Sequence, residues 1–130
     1  MAINVSRNRI DFNDIRAESA EFRDSAESVN AIGSASGAEA IDYSLGNVVT
    51  ATTTGATVWS VTNPPASGKA GSFTLILTNG GSQTQTWMSG TKWPSGAAPT
   101  LTSSGIDILT FFTVDAGTTW YGVLAMSAMA

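Results

Sequence analysis

The stretch "SFTLILTNGGSQTQTWM", Ser72 to Met88, decides how the chain is read. Phe73, Leu75 and Leu77 alternate with Thr74, Ile76 and Thr78, which is the period of a strand with two distinct faces. Asn79-Gly80 follows at once, a dipeptide suited to the positive φ angles of a tight type I′ turn. "SQTQTWM" then reads as a returning strand, with Trp87 plugging a core.

Working outward, the same grammar holds from about Gly46 to Ala130. "NVVTATT" and "ATVWSV" are β-branched runs separated by Thr54-Gly55, and the two prolines of "NPPASGKAG" demand a loop. "GIDILTFFTVD" is apolar on both faces, as expected of a central strand buried between two layers. "TTWYGVLAMSAMA" closes the series, with Trp120, Gly122, Leu124 and Met126 assigned to one face. Short strands punctuated by turns predict a mainly β fold, an antiparallel jelly-roll-like β-sandwich of about seven or eight strands over residues 46–130.

Residues 1–45 obey different rules. They carry eight of the ten acidic and four of the six basic residues, and from Asp11 to Ile32 no Gly or Pro occurs. Ile15, Phe22 and Val29 are seven apart. Placing them at heptad position d puts Phe12, Ser19 and Ala26 at a. Asp11 and Glu18 then fall at g and Arg16 and Arg23 at e, so a parallel pair of helices would match opposite charges twice. An N-terminal α-helix over about 11–32 is expected, either associating with copies of itself or lying on its own domain. Gly33 would cap it, and "GSASGAEA" would be a flexible linker.

Composition excludes much chemistry. The chain has no Cys and no His, so thiolate metal sites, disulfides and His-based catalytic triads are ruled out. The only carboxylates beyond residue 45 are Asp107 and Asp115. Eight extended residues separate them by about 26 Å, too wide for a glycosidase pair. No calcium-loop pattern occurs, and no cofactor is expected. Nucleic acid finds no basic stripe on a chain of net charge −4, and no apolar run is long enough to span a membrane. No signal peptide is evident. The one binding motif of note is Lys92 with Trp93, before Pro94 in a loop, a candidate exposed contact for a partner or a glycan.

Phe73 to Gly122 as a whole, with "TNGGSQTQTW", "KWPSGAAPTLT", "SGIDILTFFT" and "DAGTTWYG" in fixed order, resembles a module of tailed-phage virion structural proteins, of the tail-fibre and capsid-decoration kind known from marine and cyanobacterial phages. The resemblance implies a non-enzymatic protein of the virion exterior, most simply a trimeric capsid decoration (cement) protein. Its partners would be further copies of itself and the major capsid protein or tail proteins. A short tail fibre or receptor-binding tip, and a free carbohydrate-binding module, are the alternatives.

Overall fold

The computed structural model describes residues 3–7, 9–12 and 15–130. A hairpin of β1 (Asn4–Ser6) and β2 (Arg9–Asp11) comes first, and a segment without regular structure runs to Ser28. The remaining strands build one seven-stranded sheet: β3 (Val29–Asp42), β4 (Val48–Thr62), β5 (Gly71–Thr78), β6 (Gln85–Thr86), β7 (Thr91–Lys92), β8 (Ile106–Thr113) and β9 (Trp120–Met129). Its order is β3-β4-β5-β8-β9-β7, with β6 on the second half of β4. The fold is mainly β, as expected, but the sheet is mixed. β3, β4 and β5 pair in parallel, and only β5-β8 and β8-β9 are antiparallel.

The parallel pair β3-β4 forces the chain to coil. Val29 lies beside Val48 and Asp42 beside Thr62, yet only residues 43–47 connect the two strands. A straight strand of 14 residues would be about 46 Å long, and the connection reaches about 20 Å at most. β3 therefore bends round so that its end returns to its beginning. Register shifts at Ala31/Gly33 and Ala35/Gly37 supply the bends, with Gly33 and Gly37 at φ +82° and +70°. The return is close: a Cβ on Gly46 would overlap the carbonyl oxygen of Ser28. Corner side chains fasten successive turns. Asn63 donates to Asp42 (2.9 Å), and Asn47 donates to the Ser72 carbonyl (2.6 Å) and the Tyr43 hydroxyl (2.9 Å).

The interior face is the alternating set that the sequence marks. Val49, Leu75, Leu77, Leu109 and Phe111 are buried, and Trp59, Phe73 and Trp120 fill the middle. Phe73 lies 5.0 Å from Phe111 and edge-on to Trp120 at 5.3 Å. Trp87 stacks on Trp59 at 6.3 Å and tilts onto Phe111, so the second half of β4 is tied across the core to β8.

Three expectations are corrected. Among the described residues no helix forms over 11–32. Phe12 and residues 15–28 are extended or irregular, Ser19 and Asp24 take left-handed φ, and Val29–Ile32 enter β3, while residues 13 and 14 lie outside the described residues. A seam of only two and a half heptads, with Ser and Ala at a, cannot hold a short helix without a packing surface, and the run's Ser, Asp and Asn favour other conformations. The supposed linker "GSASGAEA" is the middle of β3, because its small residues follow a tight bend. Asn79-Gly80 makes no hairpin. Asn79 is left-handed (φ 58°) as foreseen, but a 3-10 turn at Gly80–Ser82 follows and leads to β6, which runs parallel to β4. β5's antiparallel place is taken by β8 instead.

Candidate interaction surface

Strands that turn one face inward turn the other outward, and here that outer wall is largely apolar, with threonines among its aliphatic residues, half-buried in the middle and exposed at its margins. The registers set side chains in rows across it. One row is Val29, Val48, Thr74, Thr110 and Val123; the next is Ala31, Thr50, Ile76, Ile108 and Met126. A third carries Ser72, Phe112, Tyr121 and Lys92. Apart from Lys92 at the rim, none of these side chains is charged. Val29, Val123 and Met126 are 57%, 43% and 51% exposed. Phe112 and Tyr121 are about half exposed and stack on each other at 5.1 Å. An open depression of ≈ 280 Å³ crosses the β3 side of the wall, lined by Ala31, Gly33, Thr50, Ile76 and Thr78 among others.

Here β8 departs from its expected burial. Its inward residues Asp107, Leu109, Phe111 and Thr113 are covered, whereas Phe112 and Val114 on the other side face solvent. The sequence of β8 is that of a two-sided core strand, and the chain covers it on one side. In β9 the extra residue Ala125, between Leu124 opposite Leu109 and Met126 opposite Ile108, turns Met126 out to the wall rather than in with Trp120.

The second feature is the arm. Of the helix-seam residues, Phe12 (40%), Phe22 (74%), Ala26 and Val29 are exposed, and Ile15 is half-buried, its N–H bonded to the Phe12 carbonyl at 2.8 Å. Asp11, Arg16, Glu18 and Arg23 were expected to pair between helices. Instead Arg9 meets Asp11 (2.8 Å), Arg16 meets Glu18 (3.2 Å) and Arg23 meets Glu21 (3.4 Å), all within the chain. Partners two apart in sequence share one side of an extended backbone, which leaves Phe22 on the other.

The Lys92-Trp93 loop is not an aromatic platform. Trp93 is half-buried, its ring edge-on to Trp87 and to Phe111 at 5.5 Å each, over Gly122. Lys92 is exposed beside Tyr121.

Two polar residues outside the expected set organise this architecture. Asp107 is fully buried and accepts from the Thr102 N–H (2.6 Å), the Thr102 hydroxyl (2.9 Å) and the Ala128 N–H (3.1 Å), joining the loop before β8 to the end of β9. Gln85 accepts from Trp59 Nε1 (2.9 Å) and donates to the Gly80 carbonyl (3.0 Å), which fixes the turn after β5 against β4. Only their position among uncharged neighbours hinted at either. Asp115 is the turn cap that its "DAGTT" context suggests: it accepts from the Thr119 N–H (2.8 Å), and that bond holds its carboxyl below the usual range.

Comparison with protein-family models, curated proteins and solved structures finds no match to the chain.

Proposed function

We propose that the chain is a non-enzymatic structural subunit that works as an oligomer on the exterior of a tailed-phage virion, with capsid decoration as its role. The observation that carries the oligomeric part is the combination, in one chain, of an uncharged, largely apolar outer wall with an arm that leaves Phe22 exposed. Exposed contiguous apolar surface of that kind marks an interaction site. The virion assignment rests on the resemblance of residues 73–122 to phage structural modules. The curled sheet, with the halves of β3 and β4 on either side of the aromatic core, is read as a two-layered sandwich suited to that role.

Capsid decoration is preferred to a tail-fibre stalk because the charges that would have matched in a parallel helical stalk pair within the extended arm. A free glycan-binding module is disfavoured by the packing of Trp93 against Phe111. Sedimentation of the purified protein tests the proposal. A stable oligomer that co-sediments with particles is expected, and a monomer at tens of micromolar that ignores particles would overturn it. Copies per particle then separate the placements: hundreds for the capsid, a few for the tail.

A further inference from the structure

The wall and the arm each lack what the other offers. The wall spans five strands and about six residues, roughly 480 Å² at ordinary strand spacings, within the about 300–600 Å² of a monomer's largest apolar patch, which is often a functional one. The arm displays Phe22 at 74% exposure, and the charges that flank it, Glu21 and Arg23, pair with each other, as Arg16 does with Glu18. That pairing lowers the desolvation that would oppose laying this part of the arm on an uncharged surface, while the exposed Asp24 and Glu27, outside those pairs, would have to stay on its solvent side.

Reach and area choose between the possible covers. Residues 15–28 extend to about 46 Å, while the five strands are about 19 Å from first to last, so an arm can cross the whole wall. Two walls packed face to face would bury about 960 Å² in total, below the roughly 1,200 Å² of a stable interface. An arm laid across a wall adds its own surface to that total, and a reciprocal exchange makes the contact twice. Within one chain the arm enters at Val29, on the edge strand, and Phe22 stays exposed although the wall is bare.

We propose that the arm, residues 15–28, lies across the outer wall of a second copy of this chain, with Phe22 seated in the depression between Ala31 and Ile76. This deepens the oligomeric reading above and rests on it.

The chain has no cysteine, so a single Val123→Cys on the wall is an unambiguous reporter. Its alkylation by iodoacetamide is followed in the full chain while the oligomeric state is read in parallel by sedimentation. If the arm of another copy covers the wall, alkylation is slowed at least ~10-fold at oligomer-forming concentrations, and dilution to monomer removes the protection. Adding Phe22→Asp, at a position the fold leaves exposed, restores fast alkylation without lowering the melting temperature of the diluted monomer. An oligomer whose introduced thiol reacts freely would overturn the arm exchange and leave the oligomeric reading standing. Protection that survives Phe22→Asp would mean another cover, and protection that persists in a monomer would mean the chain's own arm. Each overturns the proposal. A monomer with a freely reacting thiol would defeat both the exchange and the oligomeric reading.

Discussion

Gly46→Ala probes the coil where it closes. Gly46 sits at φ 147°, ψ 158°, a region that essentially only glycine occupies, and an added methyl would overlap the Ser28 carbonyl. The backbone strain contributes about 1–3 kcal/mol. Pushing a methyl group into a packed backbone contact adds about 1–3 kcal/mol more. The sum of roughly 2–6 kcal/mol is a large share of the 5–15 kcal/mol typical of a domain. For a chain of this size it corresponds to a fall in Tm of roughly 8–20 °C. Gly33→Ala is the control. Gly33 is also left-handed, at φ +82°, but a Cβ there meets nothing within 4 Å, so strain alone applies, about 1 kcal/mol. Urea unfolding followed by the fluorescence of buried Trp59 and Trp120 measures both. If the two variants agree within about 0.5 kcal/mol, residue 46 does not close on residue 28, and the coiled path of β3 and β4 is wrong.

Three further perturbations have defined outcomes. Asp107→Ala strands two backbone N–H groups in a buried site and should cost about 2–4 kcal/mol in urea unfolding, whereas a loss below about 1 kcal/mol would show that the loop at Thr102 is not clamped. Gln85→Leu keeps the volume but strips the Trp59 indole and the Gly80 carbonyl of their partner; a loss of about 1–3 kcal/mol is expected, with a changed tryptophan emission. Asp115 and Asp42 are both held below the ordinary carboxyl range, Asp115 chiefly by the Thr119 N–H and Asp42 chiefly by the Asn63 amide. Depressed groups stabilise the fold above their unfolded pKa of about 3.9, and that contribution disappears as pH falls through the folded value. The Tm should therefore be flat near neutrality and decline below about pH 4, with a shallower decline in Asp115→Asn.

How far the sequence could be read depended on where neighbours came from. β5 and the inward face of β8 were legible because their alternation, Phe73-Leu75-Leu77 and Leu109-Phe111, is local and decided by one core, whereas the open outer face of β8 and the bulge that turns Met126 of β9 outward were not. Asn79 was legible as a left-handed residue, but its turn was not. Whether a turn closes a hairpin depends on which strand competes for the edge, and the distant segment Ile106–Thr113 takes it. β3 was illegible for a related reason. Its Gly, Ser and Ala carry almost no strand propensity, and it is a strand because β4 offers it a parallel partner. The heptad in the arm was a real spacing without a surface to act on. Trp93 looked exposed because a Pro follows it, yet it is drawn inward by space above Gly122 that no local pattern reveals.

The pairing of β5 with β8 has a kinetic side. Gly71 meets Thr113, and the core is completed by Trp120, whereas the β3-β4 turn closes over 19 residues between Val29 and Val48. Nucleation can therefore begin in the coil, but the barrier is crossed only when distant segments meet, which places refolding in the slow millisecond-to-second range of β proteins. Slow crossing of that barrier in the unfolding direction would add kinetic to equilibrium stability, which would suit the coat role proposed above.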